Sequence, residues 1–104
     1  MEHDVCQFAE LADGAVLRAQ VAGVVLAVVR LGEDVFAVAD TCSHANYSLS
    51  DGEVLADTCE LECPKHGSAF SLVTGEPASL PATDPVAVYP ARVDDGMVKV
   101  EVGS

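Results

Sequence analysis

Apolar and polar positions alternate in short runs through most of the chain, and Gly, Asp and Pro separate the runs. Ala15, Leu17, Ala19 and Val21 oppose Val16, Arg18 and Gln20, the period-two pattern of a half-buried strand. Ala22-Gly23 makes a turn, and Val24 to Arg30 returns as a nearly unbroken apolar run, which predicts a strand buried on both faces. Leu31-Gly32-Glu33-Asp34 predicts another turn, followed by a strand over Val35 to Ala39. A short strand over 4–8 precedes these, with Val5 and Phe8 as core candidates, Cys6 as a small structural hydrophobe and His3 exposed near a frayed end. Further on, Gly52 to Leu55 and Thr58 to Glu62 read as paired short strands, and Ala69 to Leu72 as one more. Val86 to Val93, a turn at Asp94-Asp95-Gly96 and a strand over Met97 to Val102 complete the pattern. Hairpin after hairpin, with no helix of useful length, predicts an antiparallel all-β domain. Two stretches interrupt it. Asp40 to Ser50 is polar, and Glu76 to Pro85 holds Pro77, Pro81 and Pro85, which predicts a stiff loop without a strand.

Composition narrows the class. A chain of 104 residues fits one domain, 1–104, with a real but modest core. Apolar residues make up 50% of it, which is a globular composition. The formal charge of −12, from 17 acidic and 5 basic side chains, excludes the basic footprint of a nucleic-acid binder. That charge serves solubility, docking to a basic partner surface, or both. Four cysteines would suit a disulfide scaffold in a secreted chain. However, Met1-Glu2-His3-Asp4 is acidic and no apolar signal region follows, and the longest apolar run, Val24 to Val29, is too short for a membrane span. The expectation is a soluble, cytoplasmic protein with reduced thiols and no membrane contact.

The candidate chemistry lies in two clusters. Cys42-Ser43-His44 and Cys63-Pro64-Lys65-His66 each offer one thiolate and one imidazole, and 18 residues separate His44 from Cys63. Four soft or borderline ligands in two short loops are what a metal centre needs. Structural zinc also takes two Cys and two His, so it stands as one reading. Zinc motifs usually pair Cys with Cys and His with His, whereas here each loop mixes the two. The mixture suits a dinuclear iron–sulfur site in which each loop sends a Cys to one iron and a His to the other. Cys59 shares strand phase with Leu61 and Cys63, which favours a structural role, and Glu60 and Glu62 read as a solvated face. Asp40 reads as an ordinary strand-end carboxylate, with a role in orienting the first ligand loop as the alternative.

Thr41-Cys42-Ser43-His44 and Cys63-Pro64-Lys65-His66-Gly67 resemble the two ligand boxes of the Rieske iron–sulfur family. Leu80-Pro81-Ala82-Thr83-Asp84-Pro85 resembles the proline loop that covers the cluster in soluble Rieske ferredoxins, and the similarity spans essentially the whole chain. It looks closest to bacterial Rieske ferredoxins of oxygenase systems. The resemblance implies the Rieske fold, an antiparallel β-sandwich with a small cluster-binding subdomain, about residues 40–85, built of two ligand loops and a proline loop. It implies one [2Fe–2S] cluster held by Cys42 and Cys63 on one iron and by His44 and His66 on the other, with Ser68 and Pro81 around it. The implied work is one-electron transfer, with no catalytic residue, from a flavin-dependent reductase to a terminal oxygenase or similar acceptor. The carrier would be a monomer. A redox-sensing or accessory Rieske protein associated with iron–sulfur cluster assembly is the alternative.

Departures from the family pattern carry information. Respiratory Rieske proteins have a disulfide between the two loops, and the matching positions here are Tyr47 and Lys65. Of the two hydroxyls that face the cluster in those proteins, Ser68 is kept and Phe70 has none. Fewer hydrogen bonds to sulfur stabilise the reduced cluster less, so the expected potential lies toward the roughly −150 mV end of the Rieske range. The potential should also fall at alkaline pH, because an imidazole on ferric iron becomes more acidic.

Overall fold

The computed structural model describes residues 2–40, 48–63, 69–77 and 85–102. Their central sheet takes the order β2 (Val16–Val21), β3 (Val24–Leu31), β4 (Asp34–Ala39) and β8 (Val88–Tyr89), antiparallel throughout. A second antiparallel sheet joins the two ends of the chain as β1 (Glu2–Gln7), β10 (Met97–Glu101) and β9 (Ala91–Asp94). A small third sheet holds β5 (Glu53–Leu55), β6 (Glu60–Glu62) and β7 (Ala69–Ser71). The all-β expectation is met.

The apolar run of β3 explains the layering. Successive strand side chains point to opposite faces, so a strand apolar at every position serves two cores. Leu26 and Val28 are fully buried with Val35, Ala37, Val98, Val100 and Val102, between the central and terminal sheets. Ala27 and Val29 are fully buried on the other side with Val38, Leu49, Leu61, Cys63, Phe70, Leu72 and Val86. That second core carries the small sheet. Arg18 and Gln20 on β2 are exposed while Val21 is buried, as the alternation requires.

Several boundaries differ from the pattern-based reading, each for a tertiary reason. The first strand starts at Glu2, and His3 is half-buried opposite Val100 rather than exposed at a frayed end. A register shift between Asp4 and Cys6 lets both Val5 and Cys6 pack on the core beneath. Phe8 leaves the strand for a 3₁₀ turn over Phe8–Glu10, still against that core. The Arg30 guanidinium lies 4.0 Å over the Phe8 ring and donates to the Leu11 carbonyl at 2.7 Å, which ties this segment to β3. Val86 to Val93 is not one strand. It breaks at Pro90, so that β8 pairs with β4 in the central sheet and β9 pairs with β10 in the terminal one. Proline has no N–H for a ladder, while its carbonyl still accepts from the Glu101 amide at 2.9 Å. Pro77, read as lying in a strand-free loop, forms an isolated bridge with Phe70. No helix among the described residues is long and apolar enough to cross a membrane.

Candidate metal centre

Cys63 is the ligand candidate that falls among the described residues, whereas Cys42, His44, His66, Ser68 and Pro81 lie outside them. It follows β6 directly, with 0% of its surface exposed and no disulfide partner among the described residues. Its strand neighbour Glu62 faces Glu53 on one side and Ala69 on the other. Cys63 and Ala69 therefore stand at the mouth of the β6–β7 connection, the segment that carries His66.

The same buried cluster gathers the bases of all three segments singled out by the sequence. The chain leaves β4 at Asp40 and re-enters the described structure at Ser48, and the next side chain, Leu49, is fully buried beside Cys63 in that core. The proline stretch leaves from Pro77, bridged to Phe70, and ends at Val86, which is buried in the cluster and donates to the Gly75 carbonyl at 2.9 Å. Gly52 closes the arrangement. A Cβ there would run into the Glu62 carbonyl one residue before Cys63, so only glycine lets the β5 and β6 ends approach this closely.

Asp40 corrects the sequence-based reading. It is no ordinary strand-end carboxylate: it is 2% exposed, the one buried charged side chain among the described residues. Its Oδ2 accepts from the Ser48 hydroxyl and its Oδ1 from the Ser50 amide at 2.9 Å. Its backbone carbonyl accepts from the Leu49 amide at 2.5 Å, and Arg18 Nε stands 3.5 Å from Oδ2. A buried charge must be paired and hydrogen-bonded, and this one is. Its partners lie 8 and 10 residues along the chain, too far for any local signal.

Arg92 pairs with Glu2 at 2.5 Å and Lys99 with Asp4 at 2.7 Å, both on the terminal sheet. Beside the metal-centre candidate, Glu53 and Glu62 face each other across β5 and β6, with Glu60 and Asp51 close by in sequence. Cys59 occupies a left-handed turn position with φ of 57°, and its thiol packs partly against the Cys63 core. Burial, reinforced by Asp34 and Glu60, pushes that thiol upward from its usual range. Among the described residues no three His, Cys, Asp or Glu side chains converge as a metal site.

A free, fully buried thiol at a hairpin mouth, in one buried cluster with Leu61, Phe70 and Leu72, suits a thiolate-bound cluster shielded from water. The Rieske [2Fe-2S] domain model matches residues 1–90. The 3-phenylpropionate/cinnamic acid dioxygenase ferredoxin subunit of Shigella flexneri is 38% identical over 97 residues, covering 93% of this chain and 90% of the relative. The ferredoxin of carbazole 1,9a-dioxygenase from Nocardioides aromaticivorans superposes with a TM-score of 0.93 at 35% identity, over 96% of each chain. A ferredoxin in complex with the oxygenase of carbazole 1,9a-dioxygenase superposes at 0.88 with 40% identity, over 95% of this chain and 91% of the other. The chain belongs to the Rieske [2Fe-2S] domain family. It is an electron-transfer component carrying one Rieske-type [2Fe–2S] cluster, not itself a catalyst.

Proposed function

We propose that this chain, acting as one domain over 1–104, passes single electrons from a flavin-dependent reductase to a terminal oxygenase. Cys42, His44, Cys63 and His66 hold the cluster, and the part of the chain near 40–85 builds its site. The observation that carries this reading is the convergence of three segment bases on one buried core around the free thiol of Cys63. When bound, the cluster supplies a one-electron couple. The chain's own residues do the rest. Cys63 binds as thiolate, and Leu61, Phe70 and Leu72 keep water from the sulfur side. A close-packed shell of this kind changes little between redox states, which favours fast transfer. His44 and His66 would hold the second iron, and the electron would leave through their imidazoles. Ser68 keeps a hydroxyl of the family pattern, Phe70 has none, and Pro81 belongs to the proline stretch that resembles the family's covering loop, which would make the potential low for the family. The acidic surface steers the carrier, a cytoplasmic monomer, to basic docking faces on both redox partners.

The test mixes the purified protein with NADH, a flavin-dependent reductase of an oxygenase system and the matching oxygenase. Reversible bleaching of the visible bands and product formation that requires this protein are expected. Reduction by dithionite but by no such reductase would replace the shuttle with a sensing or assembly role.

A further inference from the structure

We propose that Asp40 is the positioning residue of the first ligand loop, a buried clamp that joins the two ends of the loop and holds a carboxylate two residues before Cys42 in the chain. The inference rests on the cluster assignment above and adds a residue outside the four ligands. Asp40 precedes Cys42 by two positions, and Ser48 follows His44 by four. The carboxylate takes the Ser48 hydroxyl on one oxygen and the Ser50 amide on the other, while the two serine hydroxyls meet each other at 2.8 Å. The Asp40 backbone accepts from Leu49 and donates to the Val25 carbonyl at 3.1 Å. Both strands of the loop base are therefore pinned to β3 and β4, which lie in the most buried part of the fold.

Burying a carboxylate is a poor way to gain stability, since desolvation offsets most of the Coulomb attraction. Apolar residues at these positions would serve the core as well. What the carboxylate adds is geometry, because two directional acceptors fix where residues 48–50 sit relative to β4. It also adds a negative charge in a poorly screened place, opposed from the solvent side by Arg18, whose side chain is 64% exposed. Were a cluster held at Cys42 and Cys63, the carboxylate would disfavour an added electron there and the guanidinium would favour it. The two side chains therefore set the redox balance in opposite directions.

Three variants test this: Asp40→Ala, Ser48→Ala and Arg18→Gln, with Lys99→Gln on the terminal sheet as a remote charge control. In metal-free protein, amide exchange at Leu49 and Ser50 should rise about tenfold in Asp40→Ala and Ser48→Ala, while β3 amides keep their protection. In cluster-loaded protein held at a fixed poise, Asp40→Ala should raise the reduced-to-oxidised ratio about threefold, and Arg18→Gln should lower it about threefold. Lys99→Gln should leave the ratio in place. A merely structural role would not produce shifts of opposite sign. Unchanged exchange at Leu49 and Ser50, or equal ratios in the Arg18→Gln and wild-type proteins, would overturn the proposal. Should Asp40→Ala fail to fold, Ser48→Ala for geometry and Arg18→Gln for charge decide the matter by the same readings. A wild-type protein that takes up no Rieske cluster would sink the metal-centre assignment instead, and the metal-free exchange experiment would still test the clamp.

Discussion

Cys63, Cys6 and Cys59 are chemically the same side chain in three different settings, and their predicted behaviour separates accordingly. Cys63 is fully buried at the mouth of the β6–β7 connection, whereas Cys6 and Cys59 are only half-buried against the two cores. Cys63→Ser should abolish cluster incorporation, read as loss of bound iron and of visible absorbance. Cys6→Ser and Cys59→Ser should retain both. Burial pushes the Cys6 and Cys59 thiols upward, with Glu10 adding to the effect at Cys6. The thiolate is the reactive species, so alkylation of both should lag behind a free cysteine at mildly alkaline pH. The linkage has the same sign. Neutral thiols favour the fold, and that contribution is whole below the unfolded thiol range and fades as pH climbs through the raised folded values. Phe70 gives a second residue-scale prediction, because it is fully buried in the Cys63 core and lacks a hydroxyl. Phe70→Tyr, if its new hydroxyl reaches a cluster sulfur, should raise the midpoint potential by about 60 mV, the equivalent of tenfold for one electron. Protein-film voltammetry would read it, and an unchanged potential with an intact fold would count against the hydrogen-bond account of the low potential.

At the scale of elements, the close approach of β5 to β6 is the tightest steric constraint near the site. Gly52→Ala must push the β5 start away from the Glu62 carbonyl. Overpacking of this kind costs about 1–3 kcal/mol, and each kcal/mol lowers the melting temperature of a domain this size by about 4–8 °C. Thermal unfolding of the metal-free protein would measure it. The elements also divide by how readable they were. β2, β3 and β4 were legible because period two and an unbroken apolar run are local properties of the chain. The turns at Ala22-Gly23 and Asp95-Gly96 were legible too, and both place successive residues at positive φ, the twist a two-residue hairpin needs. The β8–β9 break was not, since Val86 to Val93 alternates like one strand and only the sheets on either side decide where it divides. The start of β6 slipped from Thr58 to Glu60 because Cys59 takes the left-handed turn conformation that sequence pattern rarely flags for cysteine. Near the site, the spacing of Cys and His is a local property of the chain, whereas the partners of Asp40 are not legible, because they meet it only through the fold.

At the scale of the whole molecule, acidic side chains meet on the sheet next to Cys63 among the described residues. The described pairs of Arg92 and Lys99 lie on the terminal sheet, while Glu53 and Glu62 confront each other on the sheet that bears Cys63. Like charges directly opposite destabilise a strand pair, so their retention at this edge suits contact with a basic surface. Electron transfer to a basic partner should therefore slow about tenfold between low salt and about 0.5 M salt, where screening is nearly complete at contact distances. Glu53→Gln with Glu62→Gln should flatten that dependence in stopped-flow traces, and an unaltered salt profile would move the docking face elsewhere. The three-sheet architecture serves this arrangement, with β3 and β4 bracing the terminal sheet on one side and the sheet that leads into Cys63 on the other. All of it depends on the metal centre. The decisive measurement is the visible and low-temperature EPR spectrum of the pure protein, oxidised and then dithionite-reduced, with metal and sulfide analysis. A red-brown protein with equal iron and sulfide, whose reduced form gives a Rieske-type signal lost in Cys63→Ser, is the predicted result. A colourless, EPR-silent protein holding stoichiometric zinc after anaerobic preparation would contradict the account.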